Sequence, residues 1–160
     1  MTVFEVAIAA AVLGILLFVL AGGARAVRRQ AKRNLGITQM TALREALAAY
    51  EAATDAYPPA APDGSAGPAI AALLAVPETA AKLEPLPASL ELGQDPQAGG
   101  LDPWGRPLRY LAADATRERD RAEVAANGGR PLFESAGPDG DFGHTDPGDD
   151  DDNLRSSDLR

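Results

Sequence analysis

The chain has no cysteine and a single histidine in its 160 residues. No disulfide and no thiolate metal site can form. A zinc centre built on several imidazoles and a Ser–His–Asp triad both lose their usual parts. The missing cysteines do not exclude an oxidising compartment; they require that any staple there be something other than a disulfide. Aromatic residues make up 5%, with one Trp, so large apolar side chains for a core are few. Positive charge is also scarce, with 15 Lys+Arg against 23 Asp+Glu and a net charge of −8. That balance speaks against a general nucleic-acid binder.

What is plentiful is backbone punctuation. With 16 Gly and 13 Pro, the C-terminal half is expected to consist of loops and short elements. The length allows one domain with a modest core. Charge is unevenly placed. Arg25, Arg28, Arg29, Lys32 and Arg33 form a basic collar, while Asp139, Asp141, Asp146 and Asp149 to Asp152 make the C-terminal region acidic. Such polarity suits a rod that meets lipid or a neighbour at one end and cations at the other.

The N-terminus reads Met1-Thr2-Val3-Phe4-Glu5-Val6, and no charge follows until Arg25. As helix, this uncharged run of about 19 residues spans ~28 Å, close to the hydrocarbon thickness of a bilayer. One reading is a cleaved secretory signal, with Ala21-Gly22-Gly23-Ala24 as its cleavage region. The other is a retained membrane helix, favoured because an acid and no basic residue precedes the run. Positive-inside counting on the collar alone would put the C-terminal part in the cytoplasm. Glu5 has two readings as well. Thr2 and Glu5 have capping-box spacing, and an acid suits a helix N-terminus. A carboxylate at the mouth of an apolar helix is otherwise costly unless it is paired.

Met40, Leu43, Leu47 and Tyr50 recur at three- and four-residue steps, with Arg44, Glu45 and Glu51 off that stripe. The spacing predicts that the helix continues to about Ala56, ahead of Tyr57-Pro58-Pro59. Gly14, Gly22, Gly23 and Gly36 either weaken it locally or permit close packing. Ala69 to Ala75 is expected as a short helix ended by Pro77, and residues 78 to 100 as irregular chain. Asp102-Pro103-Trp104-Gly105-Arg106-Pro107 reads as a turn, with Trp104 as a core residue in preference to a ligand platform. Leu108 to Leu111 reads as a strand, residues 112 to 130 as a long polar connection, and Pro131 to Ser135 as the return strand.

Ser135-Ala136-Gly137-Pro138-Asp139-Gly140 is followed by Asp149-Asp150-Asp151-Asp152-Asn153. Acids around such a turn can converge on a hard, oxygen-preferring cation such as Ca²⁺, although the spacing is not that of an EF-hand. The bland reading is a solvated acidic stretch, and His144 within it reads as an exposed residue.

Three of these segments resemble, in order, those of type IV pilin-like proteins, and in particular the major pseudopilins of type II secretion systems. Met1, Thr2, Glu5 and the apolar tail match the start of the mature family chain, and Tyr57-Pro58 matches the pair that follows its long helix. Asp102, Pro103, Trp104, Gly105 and Pro107 match an Asp-Pro-Trp-Gly-x-Pro-Tyr segment, with Leu108 standing where an aromatic is usual and Tyr110 nearby. Ser135 to Gly140 with the following Asp residues resembles the family's calcium turn.

The resemblance implies an α+β fold: a long N-terminal helix, membrane half plus amphipathic half, packed on a small antiparallel sheet with a C-terminal calcium-binding loop. It implies a membrane and filament-core segment over 1–24, an amphipathic continuation over 25–56 and a small head over 57–160. Glu5 would pair with the amine of Met1 in a neighbouring subunit and set the axial register. Calcium would be held by Asp139, Asp151 and Asp152, with main-chain oxygens from Phe133 and Ser135, and Asp146 as a substitute. The expected function is polymerisation into a periplasmic pseudopilus for protein secretion, with no catalytic role. The head would lie in the periplasm and the anchor in the inner membrane.

Expected partners are further copies of the chain in a helical filament, minor pseudopilins and inner-membrane secretion components. A prepilin peptidase would process the N-terminus, which is then methylated. The family's basic leader is not in the sequence, so either Met1 is the mature first residue or the start lies upstream. Alternatives are a surface pilin used in adhesion, motility or DNA uptake, a membrane-anchored calcium-binding domain that does not polymerise, and an anchored hydrolase using paired Asp residues.

Overall fold

The computed structural model of the chain describes residues 3–90, 92, 99–142 and 152–158; within 3–25 the described side chains are those of Phe4, Val12 and Leu13. Among the described residues the protein is α+β, with four α-helices and a three-stranded antiparallel sheet. The chain divides into two compact units, Met1–Asn34 and Leu35–Arg160. Helix α1 is assigned over Val3–Thr54. In the first unit Phe4, Val12 and Leu13 are exposed, as are all of residues 26–34. Among the described residues, no helix is long and apolar enough to cross a membrane. Most of the expected apolar span lies on side chains outside the described set, as do Met1 and the side chain of Glu5.

The second unit is built on the part of α1 beyond Asn34. Met40, Leu43, Ala46 and Leu47 are buried at helical spacing, and Tyr50 packs half-buried on the same stripe. Each large apolar side chain so buried contributes about 1.5–3 kcal/mol. The buried Gln39 donates from Nε2 to the carbonyl of Leu101 (2.8 Å) and ties the helix to the chain entering the Asp102 turn. The helix stops at Thr54, where Asp55 takes a left-handed φ of 54°.

Helix α2 (Gly67–Ala75) places Pro68 in its first turn and buries Ala69, Ile70 and Leu73. Strands β1 (Arg109–Leu111), β2 (Leu132–Ser135) and β3 (Leu154–Arg155) follow in sheet order β1-β2-β3. Tyr110 is opposite Phe133, Arg109 opposite Glu134 and Glu134 opposite Arg155. Alternation therefore divides the sheet into two faces. Tyr110 and Phe133, with ring centroids 5.0 Å apart, join Met40, Leu43, Ile70 and Leu73 in the main core. Leu111 and Leu132 face the other way and meet Val124 of α4 (Glu118–Ala126) in a second small cluster. Along the outer side of β1, Tyr110 N–H donates to Gly64 O (2.9 Å) and Ala66 N–H to Leu108 O (3.3 Å), so that sheet edge is covered.

Three expectations need correction. Residues 78 to 100 are not wholly irregular, because α3 occupies Pro77–Leu83 and a 3₁₀ turn occupies Ala88–Leu90. Pro77 follows the end of α2 and also opens α3, since proline is at home in a first helical turn. The connection from 112 to 130 contains α4, with Glu118 and Asp120 in its first turn. Trp104 is half-buried and stands outside the core cluster. It lies beside Gly36 of α1, where a Cβ would fall 3.5 Å from Trp104 Cζ3 and 2.5 Å from Leu154 Cδ1. Gly36 therefore serves close packing here.

Candidate functional site

The candidate site begins with Asp102, which is 2% exposed. Its Oδ1 accepts from the backbone N–H groups of Trp104 and Arg106, each at 2.9 Å. Two main-chain bonds close the same turn, Asp102 N–H to Arg106 O (2.7 Å) and Gly105 N–H to Asp102 O (2.9 Å). Pro103 and Gly105, at φ 85°, suit this tight reversal. The other carboxylate oxygen, Oδ2, accepts from the Ser135 hydroxyl at 2.6 Å. Ser135 Oγ in turn accepts from Gly137 N–H at 3.2 Å. One buried carboxylate thus serves both its own turn and the start of the next.

Arg106 adds a second clasp. Its guanidinium donates to the carbonyl of Pro138 at 2.9 Å and lies where a Cβ on Gly140 would have to be. Gly137, at φ 64°, allows another approach, for a Cβ there would meet the backbone oxygen of Asp152 at 2.6 Å. The Asp102–Arg106 turn, the Ser135–Gly140 turn and Asp152 are therefore gathered at one place, by contacts that sequence spacing alone does not reveal.

The candidate ion ligands are distributed as follows. Asp139 is exposed, and its Oδ1 accepts from Asp141 N–H at 2.9 Å. Asp152 is half-buried beside Gly137. Ser135 is buried with its hydroxyl held by Asp102. Phe133 O accepts from Ser156 N–H at 3.0 Å, within the sheet; a carbonyl has a second lone pair. Asp151 lies outside the described residues, as do Asp146, Asp149, Asp150 and His144. Among the described residues, no three acids or histidines gather as a metal centre. The donor set is all oxygen, which suits a hard cation.

The outer sheet face carries charges that the sequence reading passed over. Arg109 meets Glu134 at 3.4 Å and makes a short contact with Asp120 of α4. Arg155 donates from Nε to Glu134 at 3.0 Å and meets Glu123 at 3.6 Å. The ladder Arg109–Glu134–Arg155 follows the strand register. The Arg109 guanidinium also lies 4.9 Å from the ring centre of Phe142. Burial pushes the Glu134 carboxyl above its ordinary value; Arg155 and Arg109 pull the other way and are outweighed. Burial likewise raises the Tyr110 phenol, whose hydroxyl donates to Pro58 O at 3.2 Å. The available signal for the ladder was a charge on each facing strand next to the aromatic residue that faces the main core.

Chemically the arrangement is a set of clamps. The Ser135 hydroxyl donates to a carboxylate, and no described histidine stands by to take its proton. Comparison with protein-family models, curated proteins and solved structures finds no match for the chain.

Proposed function

We propose that the chain is a filament subunit of the type IV pilin-like class, and in particular a major pseudopilin of type II secretion. The observation that carries this reading is the joining of the Asp102–Arg106 and Ser135–Gly140 turns through Asp102 and Ser135, 33 positions apart, and through Arg106 and Pro138. These are the two head segments on which the resemblance rests, and a shared clamp gives both a common reason to be present. The α+β head, with a helix stripe packed on a small antiparallel sheet, supports the same reading.

In this proposal the uncharged run from Val6 to Ala24 anchors the subunit in the inner membrane as the first part of one long helix. The head lies in the periplasm, opposite to the sense of the positive-inside count. Glu5 neutralises the amine at Met1 of a neighbouring copy, because either charge alone in an apolar filament core costs several kcal/mol. Each addition moves one subunit out of the membrane and advances the pseudopilus, in company with minor pseudopilins, inner-membrane secretion components and the peptidase that processes the N-terminus. Calcium, held by Asp139, Asp151 and Asp152 with main-chain oxygens of Ser135 and Phe133, supplies the staple that cysteine cannot.

The test is direct imaging of purified assemblies of the wild type and Glu5→Ala. Filaments from the wild type and their loss in the variant are expected. Unchanged filaments in Glu5→Ala would sink the charge pairing, and absence of wild-type filaments would sink the filament reading. Loss of protein export on deletion separates a secretion role from a surface pilus.

A further inference from the structure

In the acid-rich second unit nearly every described cation is already engaged. Lys82 meets Glu45, while Arg109 and Arg155 meet Glu134. Arg106, Arg119 and Arg121 donate to main-chain carbonyls, and Arg117 is engaged as well. Arg44 and Arg130 are the exceptions. Among the described residues neither makes an ion pair or a side-chain hydrogen bond, and both line one cleft of about 240 Å³.

The cleft lies between α1 and the segment before β2, with Ser156 and Ser157 on its wall. Its one acid, Glu51, raises the pKa of the nearby Tyr57 phenol, while Arg130 acts on that phenol in the opposite sense. Two guanidinium groups left over in so acidic a chain make a site for a planar anion, which arginine binds through a fork of parallel N–H donors.

We infer that the Arg44–Arg130 cleft receives a carboxylate side chain from a second copy of this chain. This rests on the filament reading above. The occupant follows from charge: the chain has 23 acids, and seven aspartates fall within residues 139–152, more than one cation requires. A basic cleft on one copy and an acidic segment on the next make a head-to-tail contact, the kind that propagates as an open helix. Such a contact is sensitive to salt where it is exposed.

The test uses the full chain in two forms. In the first, Arg44→Glu with Arg130→Glu is compared with the wild type and Glu5→Ala for filament yield. Assembly weaker by at least about tenfold is expected, with a thermal melt like that of the wild type. In the second, a photo-cross-linking residue replaces Ala48, on the cleft wall, and both arginines remain. Capture of an acid-bearing segment of another copy is expected. Filaments unaffected by the double reversal would overturn the inference while the filament reading stands, provided that Glu5→Ala still abolishes them. Cross-links confined to phospholipid or to the same chain would overturn it too. A wild type that forms no filaments removes both proposals together.

Discussion

Glu134 and Gly36 are the residues at which small changes have readable consequences. Glu134 is 2% exposed between two guanidinium groups, and burial still raises its carboxyl above the ordinary value. A raised folded-state value means that folding favours the protonated acid. Its contribution is fully present below the unfolded value and is lost as pH rises through the folded one. Urea unfolding between about pH 4 and about pH 8 is therefore expected to show the wild type losing stability relative to Glu134→Gln as pH climbs, since the amide does not titrate. Parallel pH curves would refute that assignment. At Gly36, an added Cβ meets only the far end of Leu154 at 2.5 Å, with Trp104 and Pro103 at 3.5 and 3.6 Å behind it. Alanine gains about 1 kcal/mol of helix propensity, which offsets the shift of Leu154, so Gly36→Ala is expected near neutral. Gly36→Leu has no such room and is expected to cost about 1–3 kcal/mol. Denaturant midpoints of the two variants check both values. The sequence offered Gly36 two roles, weak helix or close packing, and could not choose, because the choice depends on Leu154, 118 positions away.

Asp102 decides the architecture at the level of elements. Its carboxylate accepts from two backbone N–H groups of its own turn and from Ser135 of β2. Asp102→Ala leaves those donors without their acceptor in a buried place and is expected to cost about 2–4 kcal/mol. Ser135→Ala removes one of the three bonds to Asp102 together with the acceptor of Gly137 N–H, and is expected to cost about 1–2 kcal/mol. Hydrogen exchange at the amides of Trp104 and Arg106 separates the cases. Both should lose protection in Asp102→Ala and keep it in Ser135→Ala. The Asp-Pro-Trp-Gly turn and both strands around it were legible because proline, glycine and apolar alternation act locally. Its partner was not, because the clamp to Ser135 is a long-range contact. The α3 and α4 helices escaped for a related reason. Pro77 was read only as a stop, although it also opens α3, and α4 is charged on most positions, docking through Val124 and Asp120. Helix α1 beyond Asn34 was easier, since Met40, Leu43 and Leu47 repeat a strong period.

For the whole molecule the question is what holds a small, proline- and glycine-rich head together without a disulfide. Two clusters share the apolar burial, one between α1 and the sheet and a smaller one under α4. The Ser135–Gly140 turn depends on Asp102, Arg106 and the approach of Asp152 to Gly137. The acids that follow repel one another, since Asp149 to Asp152 are consecutive. A bound Ca²⁺ would turn that repulsion into a cross-link between the turn and the chain leading into β3. Ligation through Asp139, Asp151 and Asp152, as proposed, would stabilise the folded state alone, by about 2.7 kcal/mol once calcium exceeds its dissociation constant a hundredfold. For a head of this size that is a rise in melting temperature on the order of 10 °C. Calorimetric melts in calcium and in chelator should show it, and magnesium, which demands stricter geometry, should give much less. The double variant Asp139→Ala with Asp152→Ala should melt at one temperature in either buffer. A wild type indifferent to chelator would remove calcium from the proposed function, and the Asp102 and Arg106 clamps would then have to hold the turn alone.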